Sequence, residues 1–212
     1  VFRTKDRPIA SGKISVKLAI FYSTTLCLLA FLVLINFNLF TIILALGSMP
    51  LAFTYPLMKR FTYWPQLFLG ITFNYGLILG WTAIKGQIDI IPIIFYLGAI
   101  FWTLGYDTIY GFQDIKDDEI IGLKSTSIKF KSKPNLFLNI CYLILFFSLI
   151  NIGYLMEYNI LYFVILIIIF IQLFYFQLKK LKINSQTSCL QIFKSNNFLG
   201  LIVFVNLIVG KF

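Results

Sequence analysis

The sequence contains no histidine and only three cysteines among its 212 residues. The cysteines, at positions 27, 141 and 189, stand far apart and form no CxxC pair. Zinc, iron–sulfur and haem sites therefore lack a plausible set of protein ligands. Histidine is equally excluded as a catalytic acid or base, and we expect the cysteines to be small apolar residues within packed helices.

Charged residues are also scarce. They make up 12% of the chain, against about 25% in soluble domains, and the mean hydropathy is +0.88. A membrane-spanning helix needs about 20 mostly apolar residues. The sequence therefore predicts an all-α fold, a polytopic transmembrane helical bundle that forms a single domain over residues 1–212. The seven predicted spans lie near 18–37, 39–57, 66–84, 90–110, 135–154, 160–177 and 196–211.

The 18 lysines and arginines outnumber the 8 acidic residues and give the chain a net charge of +10. In a soluble protein this excess would suggest a nucleic-acid partner. Here the loops explain it: if they alternate across a bilayer, every basic residue except Lys85 and Lys211 falls on one side. The positive-inside rule makes that side cytoplasmic. We therefore expect a lipid bilayer as partner and no nucleic acid.

Five of the eight acidic residues lie within one short stretch, YDTIYGFQDIKDDE at positions 106–119. If an α-helix runs through it, the turn of about 100° per residue places Asp107, Asp114 and Asp118 on one face, over about 16 Å. Asp117 and Glu119 would point away from that face, and we expect them to be solvated loop residues.

A row of stacked carboxylates repels itself and requires a cation. Oxygen ligands without histidine or cysteine suit Mg²⁺, which usually shares them with a phosphate. Asp107 follows IFWTLGY and so lies near the membrane interface, where an ionisable side chain is a functional candidate. The row predicts a Mg²⁺–diphosphate site at one mouth of the bundle. The alternative is a helix end that runs into an acidic loop with no role beyond solubility.

Two basic segments add candidate anion contacts. In RTKDRP, Arg3, Lys5 and Arg7 alternate, so an extended segment would present three cations on one side and suit diphosphate oxygens. The alternative is a positively charged membrane anchor. In YPLMKRFTYWP, Arg60 lies between two spans on the same side, as a partner for a substrate carboxylate or as an ordinary interface arginine.

Together these segments resemble the 4-hydroxybenzoate polyprenyltransferases, the ubiquinone branch of the intramembrane UbiA prenyltransferase superfamily. The stretch YDTIYGFQDIKDDEIIGLKSTSIKF is similar to the second Asp-rich motif of that family, YDxxYxxxDxxxD, and its Gly-x-Lys-Ser-Thr continuation. YPLMKR, with the glutamine after Pro65, indicates the 4-hydroxybenzoate branch rather than the haem or menaquinone branches. The remaining matching segments are RTKDRPIASGKIS, GWTAIKG and FKSNNFLGLIVF.

The resemblance implies a transferase that uses Mg²⁺ to bind and ionise a polyprenyl diphosphate, and then alkylates 4-hydroxybenzoate ortho to its hydroxyl. By motif position, Asp114 and Asp118 would be ligands of Mg²⁺ and diphosphate, with Asp107 as a third. Arg60 matches an arginine that holds the aromatic acid or the diphosphate. The location it implies is the bacterial inner membrane, with the active site on the cytoplasmic face. Further diphosphate contacts would be Arg3, Lys5, Arg7 and Lys124, and candidate cavity-lining aromatics are Phe101, Trp102, Tyr106 and Tyr110.

The sequence departs from the family pattern at its start. The family has nine transmembrane helices, and its first Asp-rich motif, NDxxDxxxD, would lie immediately before Val1. Seven spans of the expected nine are present, without the first two helices and that motif. We therefore expect residues 1–212 alone to be inactive or nearly so.

Four other interpretations remain at this point. One is another prenyltransferase of the superfamily, of the haem O, menaquinone or homogentisate type. A second is a CDP-alcohol phosphotransferase, whose motif the acidic stretch does not match. A third is a transporter or seven-helix receptor, although such proteins place ionisable residues deep along a path. The last is a non-enzymatic relic.

Overall fold

The computed structural model describes residues 6–212, and within that range all regular structure is helical. Arg3 and Lys5 lie outside the described residues. In chain order the helices are α1 Val16–Leu34, α2 Leu39–Thr54, a 3₁₀ turn Tyr55–Leu57, α3 Met58–Phe61, α4 Pro65–Phe73, α5 Gly76–Lys85, α6 Ile90–Gly111, α7 Ile115–Ile121, α8 Thr126–Lys129, α9 Pro134–Leu155, α10 Ile160–Phe170, a π-helix Ile171–Leu178, and α11 Gln186–Val209.

Between residues 6 and 212, seven helical segments are long and apolar enough to cross a membrane, judged by length and composition. This confirms the predicted all-α fold and the number of spans. The segments are Val16–Leu34, Leu39–Phe61, Pro65–Lys85, Ile90–Gly111, Pro134–Leu155, Ile160–Leu178 and Gln186–Val209.

The last span begins ten residues earlier than the sequence predicted. Ser185 caps α11, because its side-chain oxygen accepts a hydrogen bond from the backbone N–H of Ser188 at 3.3 Å. The first turns of α11 are polar, QTSCLQIFKSNN, so an apolar window does not detect them. Lys194 therefore lies within the helix and not in the preceding loop.

The third span is two helices rather than one. The chain breaks between α4 and α5 at Asn74 and Tyr75. The side-chain amide of Asn74 donates to the carbonyl of Ala99 at 3.1 Å and to Thr103 Oγ1 at 2.7 Å, both on α6. The Asn74 side chain thus hydrogen-bonds to a neighbouring span at the point where the helix is interrupted. Lipid would offer no hydrogen-bond partner there.

Helix α6 is the centre of the bundle, and α9 packs along it. Two glycines on α6 permit this close approach. A Cβ on Gly98 would come within 2.5 Å of Ser148 Oγ, and one on Gly105 within 2.7 Å of the Tyr142 ring. Small residues at helix contacts are typical of membrane proteins, because association there depends on close packing rather than on the hydrophobic effect.

A chain of hydrogen bonds ties α6, α9, the π-helix and α11 together. Tyr142 donates to Gln177 Oε1 at 2.7 Å, and the Gln177 amide donates to Asn196 Oδ1 at 3.1 Å. The same oxygen accepts from the indole N–H of Trp102 at 2.8 Å. Gln177 lies in the π-helical turn, a feature that often marks functional regions.

The N-terminal spans are the least enclosed part of the described chain. No residue of α1 is buried, and α2 buries only Thr41. Thr41 donates to Thr82 Oγ1 on α5 at 3.1 Å, and Asn38 donates to the Thr82 carbonyl at 2.8 Å. These polar contacts fix the start of α2 against the end of α5.

Candidate active site

The chain bends where the sequence predicted a continuous helix. Helix α6 ends at Gly111, and α7 begins at Ile115 with Asp114 at its N-cap position. The prediction that Asp107, Asp114 and Asp118 share one face of a single helix is therefore wrong, because the helix stops before the second of them. Their relative positions are decided by the turn at 112–114 and by the loop that follows α7.

The segment 122–127, a loop that leads into the first residues of α8, folds back against the end of α6. Gln66 Oε1 accepts the backbone N–H of Thr126 at 3.0 Å, and Thr108 shares a 2.6 Å hydrogen bond between hydroxyls with Thr126. Ser127 Oγ donates to the Thr108 carbonyl at 2.9 Å. A Cβ on Gly111 would clash with Ser127, so only glycine permits this approach. The Ser-Thr part of the motif is thus a structural anchor.

Lys59 meets the acidic stretch. Its ammonium lies 3.3 Å from Asp118 Oδ2, and it also interacts electrostatically with Asp107. Among the acidic residues that the structure describes, only Asp118 is buried, with 2% of its surface exposed. Asp107 is half-buried on the last turns of α6. Lys59 on α3 therefore pairs with a carboxylate of α7 at the end of the bundle where α6 ends.

Sequence reasoning missed Lys59 and chose its neighbour, Arg60, instead. Arg60 is exposed, and its side chain forms no hydrogen bond or ion pair within residues 6–212, as is also true of the side chain of Arg7. Lys59 is half-buried. One signal could have identified Lys59: a buried aspartate requires a cation nearby, and Lys59 is predicted at the same end of the bundle.

Lys124 joins the acidic loop to α3. Its backbone N–H donates to the Lys59 carbonyl at 2.8 Å, and its ammonium donates to the Phe61 carbonyl at 3.3 Å. The ammonium also lies 5.7 Å from the centre of the Tyr63 ring. Lys124, predicted as a diphosphate contact, thus lies beside Lys59 and also holds two loops together.

The remaining acids of the stretch have different surroundings. Glu119 is exposed and pairs with Lys131, as expected for a solvated residue. Asp117 is half-buried and lines a polar cavity with Lys116, so it is not a freely solvated loop acid. Asp114 is half-buried. Within residues 6–212 no group of three acidic side chains is close enough to hold a metal ion.

An aromatic wall continues from the carboxylates into the bundle. The rings of Tyr106 and Tyr110 lie 5.8 Å and 4.4 Å from that of Phe193 on α11. Trp102 stands edge-on to Tyr106 at 6.0 Å. Phe193 was not predicted. Phe101, predicted as lining, packs against the hydrophobic core instead.

A cavity of about 370 Å³ lies against this wall, between α4, α6 and α11. We call it the inner cavity. Thr103 on α6 lines it, and Asp107 follows Thr103 by one helical turn, so the cavity lies about one turn of α6 from Asp107. Its other lining residues are Phe73, Asn74, Trp102, Tyr106, Phe193, Asn196, Asn197 and Gly200.

Comparison with known proteins agrees with these features. The chain is 41% identical over 212 residues to the mitochondrial 4-hydroxybenzoate polyprenyltransferase of Bos taurus, and covers 57% of that protein. It is 37% identical over 211 residues to the 4-hydroxybenzoate octaprenyltransferase of Francisella tularensis subsp. novicida, and covers 73% of it. The chain thus spans little more than half the length of the mitochondrial relative.

The fold is similar to that of solved structures. A UbiA homolog from Aeropyrum pernix K1 matches 98% of this chain, and 77% of its own, with a TM-score of 0.75 at 20% identity. A structure of digeranylgeranylglyceryl phosphate synthase matches 99% of this chain, and 75% of its own, with a TM-score of 0.71 at 21% identity. The profile of the UbiA prenyltransferase family matches residues 1–206. The chain therefore belongs to the UbiA prenyltransferase family.

Proposed function

We propose that this chain transfers a polyprenyl group from a polyprenyl diphosphate to the ring of 4-hydroxybenzoate, a step of ubiquinone synthesis. The observation that carries the proposal is the buried ion pair of Lys59 with Asp118 at the end of the bundle where Asp107 also lies, one helical turn from the inner cavity. That arrangement can hold a charged head group next to an apolar chain. The names of the relatives supply the acceptor and the prenyl donor.

The residues at this end fit Mg²⁺ bound together with a diphosphate. Mg²⁺ usually takes one or two protein carboxylates and completes its shell with water and phosphate oxygens, so three converging acids are not required. We propose Asp114 and Asp118 as ligands, with Asp107 as a third. The ion pair between the Lys59 ammonium and the buried Asp118 supports a site for a positive charge at this carboxylate. When bound, Mg²⁺ would offset the charge that develops on the diphosphate.

The basic side chains would bind and stabilise the leaving group. In the reaction, the bond between the first prenyl carbon and the diphosphate oxygen breaks, and its electron pair leaves with the diphosphate. Lys59, Arg60 and Lys124 lie on or against α3 and would face that negative charge, with Arg7 and the residues before it as further candidates. Fixed cations placed where charge develops lower the barrier to ionisation.

The aromatic wall would protect the allylic cation. Trp102, Tyr106 and Phe193 line the inner cavity, and the ring of Tyr110 packs against that of Phe193. Ring faces attract cations, and a cavity walled by rings excludes water that would quench the cation. The cation then forms a bond to the ring carbon ortho to the hydroxyl of 4-hydroxybenzoate, and the ring proton is lost.

We further propose that this end of the bundle faces the cytoplasm. The basic residues are concentrated on the loops at this end, which the positive-inside rule assigns to the cytoplasmic side. For a bacterial chain the membrane would be the inner membrane. The relatives include both bacterial and mitochondrial proteins.

The test combines transfer and binding. The chain is reconstituted in liposomes and supplied with Mg²⁺, octaprenyl diphosphate and labelled 4-hydroxybenzoate. Donor binding is measured by calorimetry on the same samples, so that the result does not depend on turnover. Asp118→Asn should lower donor affinity or transfer by about 10²-fold, since it removes a group that acts on the developing charge. Glu119→Gln, a neighbouring exposed acid, is the matched control and should have no effect.

Two results would contradict the proposal. If Asp118→Asn and Glu119→Gln behave alike, the buried carboxylate does not bind the head group. If other aromatic acceptors are prenylated and 4-hydroxybenzoate is not, the acceptor is wrong although the reaction class stands.

A further inference from the structure

Helix α11 packs along α6 and continues past Gly111, the residue where α6 ends. Within the bundle, the ring of Phe193 on α11 packs on that of Tyr110 on α6, at 4.4 Å. Seven residues before Phe193, the side-chain amide of Gln186 donates a hydrogen bond to the Gln113 carbonyl at 3.0 Å. A spacing of seven residues returns to the same side of an α-helix. One side of α11 therefore follows α6 to its end and reaches the turn beyond it.

The Gln186 hydrogen bond holds one end of the peptide group between Gln113 and Asp114. The carbonyl of that group accepts from Gln186, and its N–H, which belongs to Asp114, donates to the Gly111 carbonyl at 3.2 Å. A peptide group is planar and includes both flanking Cα atoms, so a hydrogen bond at each end fixes the orientation of the whole plane. The Gln186 contact therefore helps to fix the point from which the Asp114 side chain extends.

Asp114 lies outside both neighbouring helices. It precedes α7, and its φ of −107° and ψ of 5° fall outside the α-helical range. Its own carbonyl accepts the N–H of Asp118 at 2.8 Å, the first hydrogen bond of α7. A shift of Asp114 would consequently shift Asp118 as well, so the peptide group held by Gln186 affects both of the proposed metal ligands.

The turn does not pack closely against the residues that precede α11. The polar cavity that Lys116 and Asp117 line has a volume of about 480 Å³ and lies between the turn and residues 183–187. Asn184 lines the same cavity, but its side chain forms no hydrogen bond within residues 6–212. On this side the position of the turn depends on individual hydrogen bonds rather than on close packing.

We propose that Gln186 is a positioning residue, which holds the peptide group before Asp114 so that Asp114 and Asp118 are placed to bind the metal ion. This inference rests on the proposed function. It gives the polar first turn of α11 a role in the site, although Gln186 and Gln113 are 73 residues apart in the sequence. Gln186 acts through the backbone and touches no reacting atom.

The test measures metal affinity rather than turnover. Binding of Mn²⁺, a paramagnetic substitute for Mg²⁺, is followed by electron paramagnetic resonance on the chain in liposomes, with an unreactive thiolodiphosphate analogue of the donor present. Gln186→Met keeps the length of the side chain and removes its N–H donor. It should weaken Mn²⁺ binding by about tenfold, the lower end of the effect of residues that hold metal ligands in place.

The matched control is Asn184→Leu, which replaces an amide side chain that lines the same cavity without contacting the turn. This variant should bind Mn²⁺ as the parent chain does. The midpoint of unfolding in mixed micelles is measured for both variants and should stay close to that of the parent, because Gln186 and Asn184 are exposed. Weaker Mn²⁺ binding at an unchanged midpoint distinguishes positioning from a purely structural role.

A second measurement uses the parent chain alone. If the Gln186 contact favours metal binding, then metal binding must stabilise that contact to the same extent. Hydrogen exchange is compared with and without Mn²⁺ and the analogue. Addition should slow exchange of the backbone N–H groups in residues 112–118 and also in the first turn of α11, which begins at Gln186.

The outcomes separate this inference from the proposed function. Three results would overturn the role of Gln186 while leaving the proposed function intact: unchanged Mn²⁺ affinity in Gln186→Met, equal losses in Gln186→Met and Asn184→Leu, or slower exchange confined to residues 112–118. A parent chain that binds no Mn²⁺ in the presence of the analogue would overturn the proposed metal site, and the role of Gln186 with it.

Discussion

Replacing Lys59 by methionine should destabilise the bundle, because it leaves Asp118 buried without its cation. The magnitude follows from the burial of the pair. Breaking a fully buried ion pair costs about 3–5 kcal/mol, whereas an exposed pair contributes about 0.2–1 kcal/mol. The side chains of Asp118 and Lys59 are 3% and 41% exposed, so only one partner is shielded from water. We expect a loss of roughly 1–2 kcal/mol for Lys59→Met.

A double-mutant cycle isolates this interaction. The free energy of unfolding in mixed micelles is measured for Lys59→Met, for Asp118→Asn and for the double variant. The coupling energy should be about 1–2 kcal/mol, because two groups in contact are not additive. The pair formed by Lys131 and Glu119 is exposed on both sides, at 57% and 40%, and supplies the control cycle. Its coupling energy should stay below about 0.5 kcal/mol.

The comparison between the cycles tests the reasoning directly. If the cycle at Asp118 gives no more coupling than the one at Glu119, burial does not strengthen the pair. Lys59 then cannot be the group that holds the acidic stretch in position. A higher free energy of unfolding for Asp118→Asn alone would lead to the same conclusion. It would show that Lys59 does not compensate for the burial of the Asp118 carboxylate.

Three further predictions concern other parts of the molecule. Gln177→Leu should lower the free energy of unfolding by about 1 kcal/mol, because it removes the acceptor of Tyr142 and a donor to Asn196. Each hydrogen bond between membrane helices contributes about 0.6 kcal/mol. An unchanged free energy of unfolding in mixed micelles would refute this prediction. Gly105→Leu should prevent correct packing of α6 on α9, seen as aggregation on gel filtration, whereas Gly47→Leu should be tolerated. Removing Mg²⁺ with EDTA should abolish donor binding by calorimetry, and unchanged affinity would argue against a metal-bound head group.

Composition and hydropathy were sufficient to predict the architecture. A chain with few charges and long apolar runs has no alternative in a bilayer to spanning helices, because every backbone polar group must be satisfied within its own segment. The number of spans followed from this alone. The start of α11 did not, since its first turns are polar and its beginning depends on the cap at Ser185.

The motif residues were also visible in the sequence, but their arrangement was not. Helical periodicity predicted that Asp107, Asp114 and Asp118 share one face of a helix. They do not, because α6 ends at Gly111 and a turn separates it from α7. The contacts of Gln66 and Thr108 with the loop 122–127 decide where the second half of the motif lies. The contact of Gln66 joins positions 60 residues apart and that of Thr108 positions 18 residues apart, and no local pattern encodes them.

The role of Lys59 shows most clearly how what the sequence determines differs from what the tertiary structure determines. The sequence by itself determined that a membrane bundle gathers carboxylates and basic residues at one end. Only the tertiary structure decided which cation meets which carboxylate, because that choice depends on how α3 is held against the loop after α7. It also decided that the glycines at 76 and 80 border a cavity while Gly98 and Gly105 border a helix, a distinction that depends on neighbours contributed by other spans.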